Sequence, residues 1–247
     1  PEPVRPVEAK RAVTPPKAEP VARQSKPVNA EPVRAKTTSV DKPAAKPIAA
    51  PVAQGRQLTP NQRAESEYRR GLASLQDGRV TEAMAALEQA IRIDGRHDAA
   101  RQTLVGLLIE ARRKGEAMHV LQTGLVLDPR QPSMAMLLAR LQIEGGTSGI
   151  DTLMRTLPYA KGNAEYHAFL AGALARDDRH REAADQYQAA LAASPGNGVW
   201  WMGLGLSLQA EKRTAEAVEA FTRAKESTNL TPQLRAFVER KLQALSN

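Results

Sequence analysis

The chain has 247 residues, of which 42% are hydrophobic and 25% are charged, and its formal net charge is +8. This length suits one domain, or one domain with a tail. The absence of cysteine excludes disulfides, thiolate metal sites and cysteine nucleophiles. Since no run of about 20 consecutive apolar residues occurs, the sequence predicts no transmembrane helix.

Residues 1–57 differ in composition from the rest of the chain. They hold 11 of the 17 prolines, with 11 basic and five acidic residues and no Phe, Trp or Tyr. Proline disfavours helix, and few large apolar groups offset the entropy of ordering, so we predict a disordered, basic, proline-rich arm. We interpret it as a spacer, with a tail that binds an acidic surface, or a proline-motif ligand, as the alternatives. Because the arm has no aromatic side chain to stack on bases, we expect no nucleic-acid partner.

From Thr59 onward, helical periodicity replaces the proline pattern. Thr59–Pro60 is typical of a helix start, because threonine caps a first turn and proline fits within it. Alanines recur at intervals of 34, 66 and 34 residues, and each is followed by a bulky residue after four positions, a small one after seven and a turn former after twelve. The alanines are Ala83, Ala117, Ala183 and Ala217, and the bulky residues are Leu87, Leu121, Tyr187 and Phe221. The small residues are Ala90, Gly124, Ala190 and Ala224, and the turn formers are Gly95, Pro129, Pro195 and Asn229.

This 34-residue period resembles that of the tetratricopeptide (TPR) repeat family. The last unit matches best, with Trp201, Leu204, Gly205 and Leu208 in the order W-x2-L-G-x2-L. The resemblance covers about residues 64 to 230 and implies an all-α fold, a TPR-type solenoid of about five helical hairpins. We predict these hairpins at residues 64–97, 98–131, 132–163, 164–197 and 198–230.

Two regions depart from the regular unit. In the third hairpin, residues 145–149 replace a tight turn and Pro158 interrupts the second helix, which predicts a local irregularity. Residues 231–246, opened by Thr231–Pro232, are predicted to form a capping helix whose apolar face covers the end of the stack. The predicted domains are therefore the arm, residues 1–57, and the solenoid, residues 58–247, which includes the capping helix.

The chain shows no pattern of catalytic or metal-ligating residues. The histidines His97, His119, His167 and His180 share no metal-ligand spacing, and we expect each to be a surface residue. Gly203–Gly205 lies inside a predicted helix and not after a strand, so it does not predict a phosphate-binding loop. We therefore predict no enzyme activity, no catalytic residue, no cofactor and no metal.

The resemblance also implies where a partner binds. In TPR proteins the first helices line a concave groove, which the second, fifth, ninth and twelfth residues of each unit face. Carried over, these positions give the candidate groove residues Tyr68, Leu72, Gln102, Ile109, Met136, Arg140, Ile143, Met202, Leu206 and Gln209. The basic and asparagine clamp that some TPR domains close on a peptide carboxylate is missing, so we expect an apolar peptide or an amphipathic helix as the partner. The alternative for Leu72, Leu75 and Leu206 is a place in the core between hairpins.

The arm, the hairpin array ending in Trp200–Gly205 and the C-terminal helix together are similar to the periplasmic part of the protein N family of MSHA (mannose-sensitive haemagglutinin) type IV pilus biogenesis. This resemblance implies a scaffold at the periplasmic face of the bacterial inner membrane that supports assembly of a pilus or secretion complex. We expect attachment to the membrane through a segment ahead of Pro1. The alternative is a TPR module that regulates, or recruits substrates to, a cell-wall or transferase enzyme.

Overall fold

The computed structural model describes residues 58–246, and this part of the chain is helical and contains no β-strand. The helices are α1 (Pro60–Gln76), α2 (Val80–Ile93), α3 (Asp98–Glu110), α4 (Lys114–Leu127), α5 (Pro132–Glu144), α6 (Ile150–Thr156), α7 (Ala164–Arg176), α8 (His180–Ala193), α9 (Gly198–Ala210), α10 (Thr214–Glu226) and α11 (Pro232–Leu245). Among these described helices none has the length and apolar content to cross a membrane. The predicted arm, residues 1–57, lies outside the described residues.

The first ten helices form five hairpins, α1–α2, α3–α4, α5–α6, α7–α8 and α9–α10. The second helix of each hairpin also packs against the first helix of the next, and α11 packs on α10. In four hairpins a three-residue turn joins the helices, and one turn residue is left-handed: Gly78, Arg112, Asp178 or Lys212. The predicted all-α solenoid of five hairpins and a C-terminal helix is therefore confirmed.

The helix starts follow simple local chemistry. Thr59 begins α1 with a capping box, in which its hydroxyl accepts from the Gln62 amide and the Gln62 side chain accepts from the Thr59 amide. Four second helices begin instead with an arginine that pairs with a glutamate three residues on. These pairs are Arg79–Glu82, Arg113–Glu116, Arg179–Glu182 and Arg213–Glu216. The glutamates lie in first turns, where the helix dipole favours negative charge.

The core of residues 58–246 consists of three apolar clusters that follow one another along the stack, from α1 to α5, from α5 to α8 and from α8 to α11. Small residues set how closely helices approach within a hairpin. A Cβ on Gly205 would lie 2.8 Å from the Phe221 ring, and Ala217 is fully buried. Val238 and its apolar neighbours on α11 close the last cluster, as expected for the capping helix.

The third hairpin is irregular. Its second helix, α6, has seven residues, whereas the other second helices have 13 or 14. A five-residue loop precedes α6, with Gly146 and Gly149 in left-handed conformations, and a 3₁₀ helix (Leu157–Tyr159) that contains Pro158 follows it. The helix-start arginine of the other second helices is replaced here by Gly149, and the glutamate three positions on is replaced by Thr152.

The prediction that the histidines are surface residues is wrong for His97. Its side chain is only 9% exposed and caps α3, since its Nδ1 accepts from the Ala100 amide. Its Nε2 lies 3.2 Å from the Glu65 carboxylate of α1, and its ring lies 5.0 Å from that of Tyr68. His97 therefore ties the first hairpin to the second, a role that needs partners from another hairpin and has no signal in the local sequence.

Candidate functional site

The predicted groove residues lie on the first helices of the hairpins, and we call this surface the first-helix face. Gln102 and Arg140 are exposed, and the other eight candidates are half-buried. Six of those eight, Tyr68, Ile109, Met136, Ile143, Met202 and Leu206, pack against one of the three core clusters. The alternative of a core role thus holds in part for Leu206, whose side chain belongs both to the face and to the packing beneath it.

The structure brings three of these residues together where α5 meets α7, a region we call the α5–α7 seam. At the N-terminal end of α7, a shallow pocket of about 230 Å³ is lined by Ser133, Met136, Leu137, Arg140, Asn163 and Glu165. Near the C-terminal ends of both helices, a second pocket of about 180 Å³ contains Ile143 and Arg176. At the first pocket, the Arg140 guanidinium lies 5.9 Å from the centre of the Phe169 ring of α7.

Small residues on α7 account for the open space at the seam. The groove positions of the fourth unit after Glu165 are Ala168, Gly172 and Ala175. The nearest atom to a Cβ placed on Gly172 would be the Tyr187 hydroxyl, at 3.7 Å. The side chains of Met136, Arg140 and Ile143 on α5 therefore face small residues at these three positions of α7, with Phe169 as a bulky neighbour, and a docking partner can reach them.

At the two ends of the first-helix face, side chains are hydrogen-bonded to other side chains of the protein. At the N-terminal end, hydrogen bonds from Arg69 and then from His97 hold the pKa of Glu65 below its ordinary value, so this carboxylate is ionised at neutral pH. At the C-terminal end, Lys241 of α11 donates to the Gln209 side chain at 3.0 Å. Tyr68 and Gln209 are thus engaged by neighbouring elements, and the middle of the face is the freest part.

Phe169 and Glu165 are site residues that the sequence interpretation missed. Applying the same position rule to the fourth unit finds Glu165, together with the small residues that open the seam. Phe169 is one position outside the rule's set and joins the site through its contact with Arg140. That contact depends on the spacing of two hairpins and is not visible in the sequence.

Within residues 58–246, no group of three or more His, Asp or Glu side chains is arranged to hold a metal ion. The altered pKa values also have structural causes. Burial raises the pKa of the Tyr166 phenol, whose hydroxyl donates to the Leu153 carbonyl at 2.6 Å, and burial raises that of Tyr187. Most carboxylates with a lowered pKa are paired with a basic side chain, for example Glu144, which Lys114 contacts, and the pKa of Asp94 is lowered chiefly by the backbone amide of Arg96. The seam therefore provides apolar surface for a partner to contact, together with a few polar side chains.

Comparisons with known proteins agree with the hairpin architecture. Family models of the tetratricopeptide repeat match residues 74–141 and 170–230, together just over half of the chain. A comparison with curated protein sequences gives no match. Among solved structures, MamA is 18% identical with a TM-score of 0.55, and the match covers 69% of this chain and 98% of that one.

Two further solved structures show the same fold. MamA from Desulfovibrio magneticus RS-1 is 17% identical with a TM-score of 0.51, covering 66% of this chain and 94% of that one. YrrB, described as a TPR protein with an unusual peptide-binding site, is 14% identical with a TM-score of 0.59, covering 72% and 92%. At these identities the likenesses show the fold alone. Because repeat matches cover hairpins on both sides of the irregular one, the chain belongs to the tetratricopeptide-repeat family.

Proposed function

We propose that this protein is an interaction scaffold of the bacterial cell envelope that binds a protein partner on its first-helix face, centred on the α5–α7 seam. Tetratricopeptide repeats are protein-interaction modules, and on the first-helix face the seam is where this chain offers space for a partner. The observation that carries the proposal is the meeting of Met136, Arg140 and Ile143 with the small residues of α7.

The chemistry of the seam favours an apolar peptide or an amphipathic helix as the partner. Met136 supplies an adaptable apolar contact, and the Phe169 ring adds flat apolar area. Arg140 and Glu165 carry opposite charges at the first pocket, so neither sign of charge dominates there. A peptide with apolar anchors and a polar back fits this surface better than a highly charged one.

The finer part of the proposal is a role at the periplasmic face of the inner membrane, in assembly of a type IV, MSHA-like pilus or a secretion complex. Its support is the sequence resemblance, which combines the proline-rich residues 1–57 with the TPR array and its C-terminal helix. YrrB, with its peptide-binding site, is an example of this fold that binds a peptide. In this role the first-helix face holds a partner while residues 1–57 act as a spacer.

The test is capture from a bacterial envelope extract with the full chain as bait, followed by identification of the bound proteins. We expect pilus or secretion components, with their recovery lost in Met136→Glu and kept in Val80→Glu. Val80 is the control because it is an exposed apolar residue at the start of α2, away from the seam. Recovery of a cell-wall or transferase enzyme in place of pilus components would contradict the pilus role. Equal recovery by both variants would contradict the seam as the binding surface.

A further inference from the structure

A second cleft lies on the side of α5 that faces away from the first-helix face. Leu138 and Gln142 of α5 line it together with residues of α4 and α6, and its volume is about 490 Å³. With about 100° between successive helical residues, Leu138 and Gln142 point opposite to Met136 and Arg140. The cleft is therefore separate from the α5–α7 seam.

The cleft coincides with the irregular third hairpin. Asn163 caps α7 and Asn197 caps α9, so these two residues mark equivalent points after α6 and α8. Ile150 and Ala184 lie equally far ahead of them. Since α6 begins at Ile150, whereas α8 begins before Ala184, at His180, α6 lacks the first turn that α8 has. The matches to the repeat family also lapse between residues 141 and 170. The chain thus departs from the regular repeat at the place where the cleft opens between α4 and α6.

Apolar side chains form part of the lining of the cleft. Its apolar lining residues are Leu125, Val126, Pro129 and Leu138. Val126 is 79% exposed, although it lies in the last turn of α4. Of the seven large apolar side chains that are exposed in residues 58–246, four belong to α4 or to the α6 segment: Val126, Leu127, Met154 and Tyr159. Of these four, Val126 lies in the cleft lining, grouped with Leu125, Pro129 and Leu138. Apolar side chains grouped in a cleft mark an interaction site more often than scattered single residues do.

Arg155 determines which occupant suits the cleft. It is the charged residue of the lining, and no carboxylate of the described residues pairs with it; its Nε donates to the Asp151 carbonyl at 3.3 Å. Residues 1–57 carry a net charge of +6, so this charge disfavours them as the occupant. Two copies joined by a two-fold axis at the cleft would bring Arg155 against Arg155, which disfavours self-association there. A partner that places a carboxylate at Arg155 suits the cleft.

We infer that the α4–α6 cleft binds an amphipathic α-helix of another protein, which lays its apolar stripe on Val126 and Pro129 and places an acidic side chain at Arg155. A helix suits the site because the space lies between two helices and beside a hairpin that lacks a full second helix. The Gln142 side chain accepts from the Thr152 hydroxyl at 2.8 Å, which leaves its amide N–H groups free to donate to the incoming helix. The scaffold then holds two partners at once, one on each side of α5.

The test uses two synthetic helical peptides as probes, each with the 14-residue length of α4. Both carry leucines along one face, and they differ only at one flanking position, which is Glu in one peptide and Lys in the other. Binding to the full chain is measured by fluorescence anisotropy. We expect the Glu peptide to bind about tenfold more tightly than the Lys peptide, and Arg155→Glu to reverse that preference.

Matched variants locate the binding. Val126→Asp is expected to lower the affinity for the Glu peptide by about tenfold or more. Val80→Asp, the same change at an exposed valine of α2, is expected to change that affinity by less than about twofold. In a Met136→Glu background, which removes the seam contact, Val126→Asp is expected to weaken the Glu peptide by the same factor, which separates this inference from the proposed function. Failure of both peptides to bind, equal binding to the Val126→Asp variant, or an unchanged preference in Arg155→Glu overturns the inference.

A photoreactive benzoyl-phenylalanine at position 126 of the full chain distinguishes the occupants. We expect it to cross-link the Glu peptide. A cross-link within one chain to residues 1–57, or a covalent dimer, in preference to the peptide would mean that the chain fills its own cleft and would overturn the inference.

Discussion

At the scale of single residues, Arg101 and Gly124 show how closely neighbouring helices fit. Arg101 is 2% exposed; its Nη2 donates to the Gly95 carbonyl at 2.5 Å, while its Nε lacks a hydrogen-bond partner among the described residues. A Cβ on Gly124 would lie 2.5 Å from the Arg101 Cδ and Nε. A buried, partly satisfied guanidinium is a weak source of stability by itself. What the pair provides is a close contact between α3 and α4, at which a methyl group on Gly124 would displace the buried Arg101 side chain.

We therefore expect Gly124→Ala to destabilise the protein by about 1–3 kcal/mol, because overlap with Arg101 outweighs the roughly 1 kcal/mol that alanine gains in a helix. Gly106→Ala is the control. Nothing lies within 4 Å of a Cβ on Gly106 in α3, so this change should stabilise by about 0.5–1 kcal/mol. Equilibrium denaturation of both variants is the measurement, and a stabilised Gly124→Ala variant would contradict the packing described for Arg101.

Ala217 gives a second prediction at this scale. It is fully buried in α10, and the facing helix has Gly205 against Phe221. Ala217→Leu adds three carbons without space to hold them, so we expect a loss of about 1–3 kcal/mol in denaturant titration. Ala215→Leu, at an exposed position of the same helix, should change the stability by less than about 0.5 kcal/mol. Similar results for the two variants would mean that the assigned close approach is wrong.

At the scale of elements, the entry to α6 decides the shape of the third hairpin. Gly149 has φ +67°, and a Cβ on it would lie 2.9 Å from the Ala139 carbonyl oxygen of α5. Gly146 also has a positive φ, of +90°, but nothing lies within 4 Å of its Cβ position. An alanine at either position would suffer backbone strain, whereas only an alanine at position 149 would also clash with α5. Comparing the two substitutions therefore separates the strain from the clash.

We expect Gly146→Ala to cost about 1–2 kcal/mol from backbone strain. Gly149→Ala should cost more, by about 1–3 kcal/mol, because the clash adds to the strain. Denaturation gives the totals, and hydrogen exchange of the α6 amides should accelerate more in Gly149→Ala. Equal costs for the two substitutions would show that α5 does not fix the start of α6.

Much of this element-level structure was predictable, and the exceptions share a cause. The recurring alanines and the Thr59 and Thr231 caps predict helix positions, because those signals are local or repeat at a fixed period. The irregularity of the third hairpin was visible in its glycines and in Pro158. The His97–Glu65 contact and the Arg140–Phe169 contact were not visible, because each depends on distances between hairpins.

The candidate site was predictable only in part for the same reason. The family positions identify Met136, Arg140 and Ile143, and the structure brings them to one seam. They do not distinguish these residues from Tyr68 or Gln209, which neighbouring elements occupy. The α4–α6 cleft has no sequence signal, because it depends on the space that a shortened helix leaves.

At the scale of the whole molecule, the arginine–glutamate pairs of the second helices link stability to pH. Hydrogen bonds from Arg113, Arg179 and Arg213 lower the pKa of Glu116, Glu182 and Glu216 below the ordinary value near 4.5. A carboxylate with a lowered pKa in the folded state contributes stability that is fully present above the unfolded pKa and is lost as pH falls through the folded one. Stability should therefore be level above about pH 5.5 and fall below about pH 4.5.

The triple variant Glu116→Gln, Glu182→Gln and Glu216→Gln tests this dependence. Its Tm at neutral pH should be lower than that of the parent, and its Tm should fall less between about pH 5.5 and 3.5 because three of the titrating groups are gone. Added salt should reduce the Tm difference between the parent and the triple variant at neutral pH, since the arginine–glutamate pairs are exposed and salt screens them. A variant that loses as much Tm on acidification as the parent would show that these pairs do not link stability to pH.

The central claim is that a partner binds the first-helix face at the α5–α7 seam mainly through apolar contact. The most direct measurement is the affinity of the purified, captured partner for the full chain, for Met136→Glu and for Val80→Glu, each at about 50 and 200 mM salt. The account predicts that Met136→Glu weakens binding by about tenfold or more, that Val80→Glu leaves it unchanged, and that salt has little effect. Binding that survives Met136→Glu and drops steeply with salt would contradict it and place the affinity in charged residues outside the seam.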